Sequence, residues 1–229
     1  FHVYGRLPIW SDDYLIGRIA QLRDMGMANV YFKMVGFDPE DLEHVLRLAS
    51  KAQVDMVTFD GAGGGSGYSP CKMMNEWCLP TVVMESILYG ILDKLAAEGM
   101  ELPHVAITGG FATEDQVYKA LALGAPYVKA VCMSRSFMIP AFLGCNIEGA
   151  LHPERRERVH GAWSALPKTV LDIGDTPETI FAGYHALKER LGADEMAHIP
   201  YGAIAMWTMC DRLGAGLQHH MAGARKFGV

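Results

Sequence analysis

Two stretches of the chain hold residues whose types and spacing suit a phosphate, and a third suits a planar ligand or a small substrate. Thr108-Gly109-Gly110-Phe111 follows a β-rich run and precedes a helix start at Thr113. Adjacent glycines let a backbone approach an anion closely, and amides at a helix start point outward. One strand–helix step later Met133-Ser134-Arg135-Ser136 again opens a helix, with Arg135 adding positive charge for the opposite side of the same phosphate. A tight βα turn is the plain alternative for Gly109-Gly110 taken alone. Two such loops one βα unit apart favour phosphate.

The third stretch runs Asp60-Gly61-Ala62-Gly63-Gly64-Gly65-Ser66-Gly67-Tyr68-Ser69-Pro70. Glycine is the costliest residue to order, so such a density is not there for stability. A backbone lying flat against a planar ligand or a small substrate would need that freedom, whereas a loose linker fits poorly between a buried strand and a long helix. The loop is not a Walker motif, because no Gly-Lys-Ser/Thr follows. Lys33 lies inside an apolar run between Phe32 and Met34. A lysine there needs a partner or an inward-facing site, where its charge would steady an electron-rich ring; the alternative is a strand-end lysine reaching solvent. His219-His220 are adjacent and face different ways on any regular element, a poor chelate. Cys71 and Cys78 are too isolated for a metal site, and the Arg155, Arg156 and Arg158 run alternates with Glu154 and Glu157 as a solvated helix face does.

These residues need elements to position them, and the pattern supplies four strands. Val30–Val35, Val54–Phe59, His104–Thr108 and Tyr127–Cys132 are of strand length and apolar enough for buried parallel strands. Helical patterns separate them. Ser11-Asp12-Asp13 opens a first helix that ends near Met25. Asp38-Pro39-Glu40-Asp41 combines a cap, a proline suited to the first turn and acids at the positive end of the helix dipole. A long helix spans Thr81 to Ala97, and Thr113-Glu114-Asp115-Gln116 resembles a capping box. Strand and helix alternating at this spacing give βαβ units and a parallel sheet. Beyond Cys132 the pattern turns helical: a charged helix from Pro153, another from Thr176 to about Leu191, and a further one around Ala203–Trp207 before a Gly-rich tail. If the sheet belongs to a (β/α)8 barrel, four strands make its second half; an open doubly wound sheet is the competing architecture.

Composition narrows the class further. The chain has 229 residues, half of them hydrophobic, with a net charge of −6. That composition excludes a disordered chain and argues against nucleic acid or an anionic membrane surface as main partner. Glu85 and Asp93 break the longest apolar run well short of the roughly 20 residues that span a bilayer. Five cysteines without a CxxC fit reduced thiols and a cytoplasmic setting. The chain begins at Phe1 and reads as a piece of something longer.

With these motifs in place, a family resemblance stands out. Gly61-Ala62-Gly63-Gly64-Gly65-Ser66-Gly67-Tyr68-Ser69-Pro70 resembles the Gly-rich loop of the FMN-binding synthase domain of glutamate synthase, whose pattern reads G-H-D-G-G-T-G-A-S-P. Phe32-Lys33-Met34-Val35 is similar to that family's V-K-L-V strand, whose lysine contacts the flavin. Thr108-Gly109-Gly110 with Ala120–Ala125 resembles its D-G-G turn and following helix, and Ser134-Arg135 stands where several FMN oxidoreductases place Gly-Arg. The resemblance runs from about Ser11 to Cys145.

It implies a (β/α)8 TIM barrel of α/β class. Residues 1–146 would supply the C-terminal half of the barrel and residues 147–229 a helical extension. It implies FMN as cofactor: Lys33 as catalytic residue facing the ring, Gly65, Ser66 and Gly67 lining the ring and substrate side, and Gly109, Gly110, Ser134 and Arg135 holding the phosphate. The implied reaction is reduction of 2-iminoglutarate, formed from 2-oxoglutarate and ammonia, to glutamate. The chain departs from the family pattern at two places: Ala62 and Gly63 replace its His-Asp, and of its three-cysteine iron–sulfur motif only Cys145 stands in place, so no iron–sulfur cluster is expected in this chain. The other readings left open are another FMN- or phosphate-binding barrel enzyme, of isomerase or hydroxy-acid oxidase type, and a non-catalytic barrel subunit. The missing half-barrel is expected from upstream residues or another chain, and an oligomer is expected; small molecules, not nucleic acid, are the expected ligands.

Overall fold

The computed structural model describes residues 11–65, 70–158 and 172–226. They form two compact units, one within Phe1–Ala112 and Gln116–Met133, the other within Thr113–Asp115 and Ser134–Val229.

The first unit is built on four parallel strands, β1 (Tyr31–Val35), β2 (Met56–Asp60), β3 (His104–Thr108) and β4 (Val128–Cys132), in the order β1-β2-β3-β4. Helices α1 (Asp12–Asp24), α2 (Pro39–Lys51), α3 (Thr81–Ala97) and α4 (Glu114–Leu123) alternate with them. Local chemistry starts these helices as their sequences require. The Ser11 hydroxyl accepts from the Tyr14 amide at 3.3 Å, and the Asp38 carboxylate accepts from the Glu40 amide at 2.8 Å. Ahead of α4, the Gln116 side chain accepts from the Ala112 amide at 2.8 Å, satisfying a donor that precedes the helix.

Alternation along the strands separates two faces. Val57, Phe59, Val105 and Ile107 are fully buried in one cluster with Leu42, Val45 and Leu46 of α2 and Met84, Leu88 and Leu92 of α3. The opposite face carries Lys33, Thr58, Asp60, Thr108 and Cys132 among the apolar Val35, Met56, Ala106 and Ala130. A doubly wound sheet reverses its strand order at a switch point and carries helices on both faces. The strand order here runs without reversal, and the apolar packing gathers on one face, as right-handed crossovers all stepping the same way require. The register sets Val35 beside Asp60, Asp60 beside Thr108, and Thr108 beside Cys132, so the polar row meets the C-terminal rim.

The second unit packs α5 (Arg135–Leu151) against the long α9 (Tyr201–Gly223), with a 3-10 turn at Pro153–Arg158 and short helices α6 (Pro177–Ile180), α7 (Tyr184–Leu191) and α8 (Ala193–Met196). A Cβ on Gly202 would sit 2.8 Å from the Ala141 carbonyl and the Cys145 sulfur, so glycine lets the helices cross at backbone distance. Buried Glu148 accepts from the Tyr201 amide at 3.0 Å, placing a carboxylate on the positive end of α9, and Arg155 lies 3.4 Å from its other oxygen.

Three expectations change here. The charged segment from Pro153 is a 3-10 turn, not a longer helix, over its described residues. The helix expected from Thr176 to Leu191 is broken: Phe181 turns extended and buries against the Tyr201 ring, and Gly183 packs beneath Trp207 before α7 begins. The Gly-rich tail is largely helical, since α9 runs through Gly214 and Gly216 to Gly223. Among the described residues no helix is long and apolar enough to cross a membrane.

Candidate functional site

The loop after β2 is ordered from within. Gly61 donates to the Thr108 carbonyl, Ala62 to Leu79, Gly63 to Met74 and Gly64 back to Gly61, at 2.8–2.9 Å. These amides are used by the protein itself, so the first half of the loop is a structured turn. Gly61 and Gly64 are glycine because of what lies beside them. A Cβ on Gly61 would meet the Thr81 backbone at 2.7 Å, and one on Gly64 would meet the Asp60 carboxylate at 2.9 Å. Gly65 adopts φ +108, open to glycine but not to other residues, and Ser66 and Gly67 lie outside the described residues.

The loop after β3 has a matching division of labour. Thr81, the first residue of α3, donates its hydroxyl to the Gly109 carbonyl at 2.9 Å and lies 3.3 Å from the Ala62 carbonyl, joining both loops. A Cβ on Gly109 would run into the Thr81 hydroxyl, and φ +137 is strained for any other residue. Gly109 is therefore fixed by packing. Gly110 is exposed at φ +78, and a Cβ there would meet only the Ala62 carbonyl at 3.9 Å, so this glycine leaves open room on the rim.

Lys33 projects from β1 onto the polar face, about half exposed (48%), and its Nζ lies 2.8 Å from Oδ2 of Asp60, which is 1% exposed. The pairing supplies the partner that a lysine in this strand requires. Asp60 is the residue that sequence reasoning passed over: it ends β2 at the loop's first position, and its Oδ1 has no hydrogen-bond partner among the described residues. Its charge is felt by two thiols. Desolvation and then Asp60 push the Cys78 thiol up; the same two causes raise Cys132, against a smaller lowering by Lys33. Both sulfurs are protonated at neutral pH and make poor nucleophiles.

Ser134 and Arg135 are exposed at the start of α5, in the second unit. Cys145 packs its sulfur against Gly202 in the same unit, and its thiol is raised by desolvation first and Glu148 second. No group of three metal-ligating side chains occurs among the described residues. His219 and His220 lie side by side near the end of α9.

The first unit is thus a singly wound parallel α/β sheet in which Asp60 and the glycine turns lie at the C-terminal ends of the strands and the Lys33 ammonium reaches Asp60 from mid-strand. The chain belongs to the family described as "Conserved region in glutamate synthase", whose profile matches residues 7–154. No curated protein matches the sequence significantly. Among solved structures it is similar to a FabK mutant from Thermotoga maritima, at 16% identity and a TM-score of 0.45, covering 97% of this chain and 76% of that one. It is also similar to a nitroalkane oxidase from Streptomyces ansochromogenes, at 17% identity and a TM-score of 0.42, covering 91% of this chain and 62% of that one.

Proposed function

We propose that the chain is part of an FMN-dependent oxidoreductase that reduces 2-iminoglutarate, or a related imine of a 2-oxo acid, to the amino acid, within a (β/α)8 barrel of which it forms the second half. Family membership supports the reading, and the observation that carries it is Lys33, a half-exposed cation whose ammonium reaches Asp60 at the C-terminal end of β2. The residues fit the group. Gly110 leaves the room a phosphate needs, Gly65 holds a backbone conformation (φ +108) that suits close approach of a ligand, and Lys33 supplies positive charge beside an electron-rich ring.

In this reading Gly109, Gly110, Ser134 and Arg135 hold the phosphate, with Gly109 acting by shaping the turn. Gly65, Ser66 and Gly67 line the ring and substrate side. FMN, when bound, supplies the hydride that the imine carbon accepts. Lys33 keeps its charge at the ring edge and so favours the electron-rich form. Strands β1 and β4 are edges among the described residues, and strands from upstream residues or a separate chain would pair with both and close the barrel. A cytoplasmic setting fits thiols that stay reduced.

The test is the visible spectrum of the natively purified protein, before and after anaerobic reduction, with the released cofactor identified by mass. A bleachable flavin band, FMN in the extract and turnover of 2-oxoglutarate plus ammonia are expected. Lys33→Ala should alter flavin reduction while keeping the fold, at some cost in stability because the buried Asp60 carboxylate loses its partner. A colourless protein that refuses added FMN despite a complete barrel would overturn the reading in favour of a non-catalytic subunit.

A further inference from the structure

Asp60 is nearly fully buried, yet one of its oxygens has no partner among the described residues and the other is committed to Lys33. Stability does not explain this arrangement. An apolar pair of similar size is usually as stable as a buried ion pair or more so, and an unpartnered carboxylate oxygen adds a desolvation cost. The surroundings hold the carboxylate in place all the same. Val35 and Thr108 flank it on the neighbouring strands, and Gly64 lies against it where any side chain would press on Oδ1. Lys33 itself pairs in register with Thr58, and the diagonal reach to Asp60 suits a long side chain on the same face.

We infer that Asp60 is a positioning residue that fixes the Lys33 ammonium on the rim and sets how much positive charge a bound ring experiences. This rests on the flavin reading above. Unpaired, a half-exposed lysine would spread over many rotamers; paired, it has one position, with the carboxylate beneath and the ammonium at the open side. The pair then presents a dipole rather than a full charge. Removing the carboxylate while keeping its shape leaves the lysine charge uncompensated, which favours the more electron-rich form of the cofactor.

Two measurements on the full chain test this, with Asp60→Asn and Lys33→Met as the variants. Without added flavin, the acylation rate of Lys33 by an amine-selective reagent is read by peptide mass against exposed Lys129. Asp60→Asn is expected to raise that ratio at least threefold; an unchanged ratio overturns the inference. If Asp60→Asn does not fold, Gly64→Ala, which crowds the carboxylate without removing it, is used for the same reading. With FMN bound, Asp60→Asn should strengthen binding of the reduced over the oxidised form about tenfold, which for a two-electron couple is about 30 mV in the positive direction. Lys33→Met should move it the opposite way. An Asp60→Asn shift of equal size in the Lys33→Met background overturns the inference, since Asp60 would then act without the lysine. A wild-type protein that takes up no flavin overturns the flavin reading and the pair's role in it, while the labelling ratio separately decides whether the pairing exists.

Discussion

Glu85 offers the sharpest test of the energetics of the first unit. It lies on the buried side of α3, 2% exposed, with Oε1 lacking a hydrogen-bond partner among the described residues. A Cβ on Gly124, at the end of α4, would come within 2.9 Å of that oxygen, so the carboxyl is enclosed by the neighbouring helix. Burial pushes its pKa from the ordinary 4.5 up to about 7. A carboxyl with a raised folded pKa gives stability that is complete below pH 4.5 and is lost as pH rises through 7. At about 1.4 kcal/mol per pH unit, the ceiling of that loss is about 3 kcal/mol, and water reaching the carboxyl would lower it. Glu85→Gln has nothing to titrate. Urea unfolding of both proteins from pH 4 to pH 8.5 should show near-equal stability at the acid end. The glutamine variant should then gain steadily, to 2–3 kcal/mol or about that above pH 7.5. Other titrating groups cancel in the difference. A difference that stays flat across the range would refute a buried, proton-holding Glu85.

Other substitutions probe the loops and the helix pair. Gly109→Ala should destabilise the first unit by about 2–3 kcal/mol in urea unfolding, because a methyl group meets Thr81 and φ +137 is strained for alanine. Gly110→Ala should cost only about 1 kcal/mol, through its left-handed φ, while weakening cofactor retention in gel filtration. Equal stability losses at the two positions would show that both are plain turn glycines. Gly202→Leu should cost about 3 kcal/mol or more, since its side chain would have to enter the space held by Ala141 and Cys145. Thermal unfolding followed by circular dichroism checks it. Asp55→Asn should cost about 1–2 kcal/mol at neutral pH. The Asp55 carboxylate accepts from the Val30 amide and pairs with Arg23, both at 2.6 Å, and these hold its pKa below the usual range. That stability is present above the ordinary carboxylate pKa and is lost as pH falls through the lowered one, so the wild-type advantage should vanish in strong acid.

Much of the molecule is readable from the chain alone, because the signals involved are local. The strands β1 to β4 lie within a residue or two of their apolar runs, α3 begins and ends where its pattern does, and Ser11 and Asp38 cap the helices they precede. Alternation, the helical period and capping depend on neighbours a few residues away. The Gly-rich loop and the Lys33 strand likewise carry the family in their own residues. Tertiary structure decided what depends on distant segments meeting. The register between β1 and β2 brings Lys33 to Asp60, and no spacing in the sequence shows which acid a strand lysine will find. Thr81 takes the space that a side chain on Gly109 would need, which turns an apparent anion turn into a packing requirement at one glycine and leaves it open at the next. Of the tail glycines, Gly216 lies against Glu114, whereas Gly214 and Gly223 have open space beside them and are carried by the helix that contains them; Gly202, in its first turn, lies on α5. Phe181 leaves its helix to bury against Tyr201 because burial of an aromatic ring outweighs one more helical turn, a comparison that exists only once the two segments are in contact.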